Sequence, residues 1–118
     1  MQKRVFIIHG WDGYPDEGWF PWLKKELEQK GFQVHVPAMP EPSEPKIEAW
    51  VSHLSKTVGE VDENTFFVGH SIGCQTILRY LEGLPVGKKV GGATFIAGWF
   101  TLMSLKTDDL QKVAWAEI

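Results

Sequence analysis

Hydrophobic positions along the chain fall into two alternating rhythms. Arg4-Val5-Phe6-Ile7-Ile8-His9 is a nearly unbroken apolar run closed by Gly10, the pattern of a strand buried on both faces. The stretch Gly10-Trp11-Asp12-Gly13-Tyr14-Pro15 is dense in turn formers and reads as a loop. Beyond it Pro21 suits the first helical position, Phe20, Leu23 and Leu27 supply an apolar stripe, and Gly31 stands where such a helix ends. Phe32-Gln33-Val34-His35-Val36 then alternates with a period of two and predicts a second strand.

The segment from Pro37 to Pro45 carries prolines at 37, 40, 42 and 45. Helix and strand patterns continue on both sides, so it is expected to be an extended loop within the domain, not a linker. Ser43 is the expected N-cap of the next helix, with Pro45 in its first turn and Ile47, Trp50, Val51, Leu54 and Val58 at helical spacing up to Gly59. Thr65–Val68 predicts a third strand, Gln75–Leu84 a helix ahead of Pro85, and Val90–Ala97 a fourth strand rich in Gly91, Gly92 and Ala93. From Thr101 to Ile118 the apolar residues Leu102, Leu105, Leu110 and Val113 fit a helix or a partly ordered segment. Strands alternating with helices imply right-handed βαβ units, hence an α/β fold with a parallel sheet and helices on both faces. A single domain over 1–118 with four strands in the order 2-1-3-4 is expected.

Composition removes several classes. With 12 Lys+Arg against 15 Asp+Glu, a net charge of −3 and no basic block, the chain offers no electrostatic footprint for nucleic acid or an anionic membrane. The start MQKRVFIIHG has too short an apolar run for a signal peptide or a membrane span. Cys74 is the single cysteine, so no internal disulfide framework exists and a cytoplasmic location is expected.

The chemistry concentrates in Gly69-His70-Ser71-Ile72-Gly73, a G-x-S-x-G motif. It follows a predicted strand and precedes a predicted helix, the context a nucleophile elbow requires. A strained turn lifts the serine hydroxyl above the sheet, while small flanking residues let strand and helix approach. The helix N-terminus offers free N–H groups to a developing oxyanion, with the Ile72 N–H as the expected first donor. The loop His9-Gly10-Trp11-Asp12-Gly13 should emerge beside it at the switch point, making the N–H of Gly10 or Trp11 the expected second donor. The plainer alternative is that Ser71 caps a helix behind a tight turn.

VFIIHGWDG, GWFPWLKKEL, VPAMPEP and FFVGHSIGCQTILRYL together resemble the YdeN-like family, small serine hydrolases of the α/β-hydrolase superfamily related to the retinoblastoma-binding serine hydrolase. The similarity runs from about Val5 to Phe100. It implies Ser71 as nucleophile acting on a small ester or amide, with no metal or organic cofactor.

The triad order Ser, then Asp or Glu, then His is not met. All four histidines, His9, His35, His53 and His70, precede Ser71. Asp108 and Asp109 read as solvated or helix-starting charges, and Glu82 sits late in the helix, pointing away from the elbow. His9 is placed near the crevice, where it would line the site or brace the oxyanion loop; His70 and Trp99 are further site-lining candidates. No histidine spacing suggests a metal site. The chain is therefore expected to be a C-terminally truncated hydrolase, weak or inactive alone. Val90–Ala97 would then be an exposed edge open to self-association or to a complementing fragment. The competing class is a non-catalytic binding module using Trp11, Trp19, Trp99 and Phe100; with no G-x-G-x-x-G and no Walker lysine, nucleotide binding is disfavoured.

Overall fold

A computed structural model of the chain describes residues 2–96. Seven elements follow one another: β1 (Arg4–Ile8), α1 (Phe20–Gln29), β2 (Gln33–His35), α2 (Ile47–Val58), β3 (Thr65–His70), α3 (Ile72–Glu82) and β4 (Gly92–Ile96). The strands form one parallel sheet in the order β2-β1-β3-β4, as the alternation implies.

Side chains on successive strand residues point to opposite faces, and the core divides accordingly. Val5 and Ile7 of β1, with Val34 of β2 and Phe66 and Val68 of β3, meet Phe20, Leu23 and Leu27 of α1. Phe6, Ile8 and Phe67 face the other way, against Trp50, Leu54 and Val58 of α2 and Ile72, Ile77 and Tyr80 of α3. Trp50, Phe6, Phe67 and Ile77 are fully buried, each contributing about 1.5–3 kcal/mol of apolar transfer energy. Arg4 ties the start of β1 to the end of α2, donating to Val58 O at 2.9 Å and Glu60 O at 2.6 Å; a cation suits this helix C-terminus.

Several boundaries differ from expectation. Ser43 does not cap α2: Lys46 holds the N-cap with extended backbone and no side-chain cap. Ser43 instead lies inside a turn closed by Glu44 N–H donating to Glu41 O at 2.9 Å, and Pro45 disfavours helical backbone before it. β3 runs two residues further and α3 starts three earlier, because the reversal is made at Ser71 alone. β4 begins at Gly92, after Gly91 has anchored to Thr65 O through its N–H at 2.7 Å. Among the described residues no helix is long and apolar enough to cross a membrane. The expectations for Ala97, Trp99, Phe100, the two aspartates at 108 and 109, and the tail from Thr101 lie outside the described residues.

Candidate active site

β1 and β3 lie side by side in a register that pairs Ile8 with Gly69. The loop after β1 and the turn after β3 therefore emerge together at the carboxyl ends of the strands. The turn is one residue: Ser71, with φ 55° and ψ −121°, between His70 of β3 and Ile72 of α3. Such a backbone costs about 1–3 kcal/mol and persists only where its surroundings enforce it. Here Ser71 N–H donates to Ile96 O of β4 at 2.9 Å, and Ser71 O accepts from Cys74 N–H at 3.0 Å.

The two motif glycines are required by contact. A Cβ on Gly69 would stand 2.9 Å from Cys74 Cα, and one on Gly73 would stand 2.7 Å from His9 O. Gly10 completes the fit, since a Cβ there would lie 3.0 Å from Ser71 Cβ and 3.6 Å from Ser71 Oγ. The backbone of the first loop thus forms the wall against which the serine stands. Ser71 occupies the N-cap position of α3 but makes no side-chain capping bond. Ser71 is half-buried at a helix N-terminus, where unpaired N–H groups and the helix dipole favour negative charge.

In the first loop the Asp12 N–H donates to Pro42 O at 2.7 Å and the Gly13 N–H to Gly10 O at 3.1 Å. Those bonds commit the N–H groups of Asp12 and Gly13, the later amides of the loop. Trp11 is half-buried against the larger core, its indole N–H donating to Ser43 O at 3.1 Å. His9 is turned into the core, 1% exposed. Its Nδ1 lies 2.9 Å from Gly10 O and its Nε2 accepts from Met39 N–H at 3.0 Å. Burial, partly offset by the Gly10 carbonyl and Glu17, pushes its pKa below 6.5.

His70 adjoins Ser71 yet packs toward α1, edge-on to Trp19 at 5.6 Å and Phe20 at 5.9 Å. His35 stacks on Phe6 at 5.0 Å, and His53 lies half-buried on α2. Glu82 is exposed at the far end of α3. Cys74, one turn into α3, is buried, and desolvation pushes its thiol up to about 11, which makes it a packing residue and a poor nucleophile.

The geometry sets Gly10 against Ser71, with Trp11 and Ile72 the residues that follow each in the chain. Sequence reasoning missed two supports: the carbonyl of Ile96, and the proline-rich segment as the first loop's anchor. No local signal marked either one, since both act through main-chain carbonyls or amides that meet the loop only in the folded chain.

A parallel β2-β1-β3-β4 sheet with a strained serine between its third strand and the following helix defines an α/β-hydrolase type of protein. The serine hydrolase family matches residues 5–114, and the chain belongs to that family. It is 43% identical over 99 residues to the putative hydrolase YdeN of Bacillus subtilis (strain 168), covering 84% of this chain and 52% of the relative. It is 38% identical over 66 residues to the serine hydrolase RBBP9 of Rattus norvegicus, covering 55% of this chain and 35% of that protein. The chain thus spans about half the length of its YdeN relative or less for the other. The crystal structure of the B. subtilis ydeN gene product superposes with a TM-score of 0.81 at 36% identity, covering 98% of this chain and 67% of that one. A pyrethroid hydrolase from Sphingobium faniae JZ-2 shares the fold with a TM-score of 0.66 at 20% identity, over 86% of this chain and 42% of its own.

Proposed function

We propose that this chain carries the nucleophile and oxyanion donors of a serine hydrolase acting on a small ester or amide. Ser71 is the nucleophile, and the N–H groups of Ile72 and of Gly10 or Trp11 receive the oxyanion. The observation that carries this reading is the conformation of Ser71: a helix-capping serine would use its hydroxyl on the helix, whereas this one holds a strained φ of 55° with no capping bond. Strain of that kind is kept where it aims a side chain.

A serine needs a base to accept its proton. His9 is engaged at both ring nitrogens and His70 is packed among aromatic rings, and no histidine follows Ser71 in the sequence. Turnover by the chain alone is therefore expected to be weak. β4 is the edge along which a second copy or a complementing fragment would dock. It pairs with β3 along one edge, and Phe95 and Ile96 are 37% and 38% exposed. Docking of a second copy along that edge would show as a mass that grows with concentration in light scattering. A cytoplasmic setting suits the single, unpaired Cys74.

A fluorophosphonate probe tests the nucleophile. Slow labelling confined to Ser71, accelerated by added imidazole and abolished in Ser71→Ala, is the expected result. Labelling that survives Ser71→Ala, or no labelling of Ser71 even with imidazole, refutes it.

A further inference from the structure

We infer that His9 is a positioning residue that acts as the neutral imidazole with its proton on Nδ1, fastening the loop after β1 to the proline-rich segment 37–45 and so fixing the Gly10–Trp11 backbone beside Ser71. The inference rests on the hydrolase reading for its functional meaning. Its structural part stands on hydrogen-bond geometry.

The Met39 N–H points at Nε2 from 3.0 Å, so that nitrogen must present a lone pair. The ring proton is then on Nδ1, where it is donated to Gly10 O at 2.9 Å. One tautomer satisfies both contacts; neither the other tautomer nor the imidazolium does. The imidazole faces the edge of Trp50 at 5.4 Å, and Trp50 in turn donates its indole N–H to Pro40 O at 2.7 Å. Two further bonds cross between the same segments, Asp12 N–H to Pro42 O at 2.7 Å and Trp11 Nε1–H to Ser43 O at 3.1 Å. Met39, Pro40, Pro42 and Ser43 therefore act as a strap whose backbone holds the loop, and prolines stiffen it by fixing φ. Glu17 is the charged group facing His9, from the loop itself, close to where a Cβ on Gly13 would lie. The strap presents the Met39 backbone, α2 presents Trp50, and α3 approaches through Gly73.

The strap has a consequence for the reacting centre. Gly10 stands in contact with Ser71, and its carbonyl is the acceptor of the His9 proton. Orienting that carbonyl orients the following peptide, whose N–H belongs to Trp11. A preorganised donor is worth far more to an oxyanion than one that must be reoriented.

The test uses the full chain with 15N-labelled histidine, together with His9→Gln and His9→Phe. Glutamine can accept from Met39 N–H through its side-chain oxygen, whereas phenylalanine fills the space and accepts nothing. We expect the NMR spectrum to show His9 protonated at Nδ1. Fluorophosphonate labelling of Ser71, with imidazole present, should slow about tenfold in His9→Phe, while His9→Gln recovers most of the rate. A proton on Nε2, or labelling of His9→Phe at the wild-type rate, overturns the inference. If His9→Phe does not fold, the tautomer and the His9→Gln rate decide, with a tenfold loss in the glutamine variant counting against the strap. If wild-type Ser71 does not label at all, the hydrolase reading falls. The strap is then judged by amide exchange at Met39, which should be slow in the wild type and fast in a variant without an acceptor.

Discussion

Replacing Gly73 by alanine sets two opposing effects against each other, and the structure decides between them. Gly73 is the second residue of α3 and its φ lies outside the left-handed region. On an open helix surface the change would stabilise by about 1 kcal/mol, from helix propensity. Here the new methyl group would sit 2.7 Å from His9 O and closer still to Ile8 O, while ordinary contact begins at 3.4 Å. Both obstacles are main-chain carbonyls of β1 and the residue after it, so relief requires α3 to withdraw from the sheet by more than half an ångström. Overpacking of this kind costs about 1–3 kcal/mol, and the upper end applies where backbone must move. The net expectation is a loss of about 2 kcal/mol, lowering the urea midpoint by about 1 M. Gly83→Ala is the matched control, since its Cβ would meet only Arg79 O and Tyr80 O at 3.6 Å; it should leave the midpoint unchanged or raise it. Circular dichroism at a helix wavelength across a urea series reads both variants. A Gly73→Ala protein as stable as the wild type would refute the claim that α3 rests directly on the end of β1.

The remaining predictions concern titration. Burial lowers the pKa of His9, and burial with Arg4 and Lys24 lowers that of His35, below 6.5. As pH falls through 6.5 the unfolded chain takes up protons that the folded chain still refuses. The contribution of these residues to stability is thus complete above about pH 6.5 and declines as pH drops toward their folded values. Urea midpoints measured between pH 7.5 and 5 should fall more for the wild type than for His9→Gln; equal slopes would remove His9 from the account. Cys74, with its thiol pushed up to about 11 and its side chain buried, should resist iodoacetamide at pH 8 until the chain is unfolded. Mass spectrometry with and without urea checks this, and rapid modification of the native protein would show that α3 opens locally.

The fold was legible because its signals are local. The apolar run of β1, the alternation in β2 and the helical stripe of α2 each name a face, and parallel βαβ winding leaves few ways to assemble them. The elbow was legible because Gly69, Ser71 and Gly73 answer to steric demands visible in a motif with its context. The role of residues 37–45 was not. Its bonds to the first loop join positions about thirty residues apart, such as Met39 with His9 and Ser43 with Trp11, and run largely through backbone atoms that every sequence possesses. Ser43 shows how this misleads: its side chain suggests a cap, while its carbonyl does the work. The start of α3 was placed late for a related reason, since a single residue of positive φ replaces the loop that periodicity leads one to expect.

The carbonyl of Ile96 gives the sheet edge a second significance. It is the last residue of β4, and it receives the N–H of Ser71 and, at 3.7 Å, the thiol of Cys74. β4, the end strand of the described sheet, therefore holds the serine turn through this carbonyl. Any chain that pairs along β4 would pull or slacken the same carbonyl that holds Ser71 in its strained backbone. Assembly at that rim would then be coupled to alignment of the hydroxyl through a single peptide oxygen.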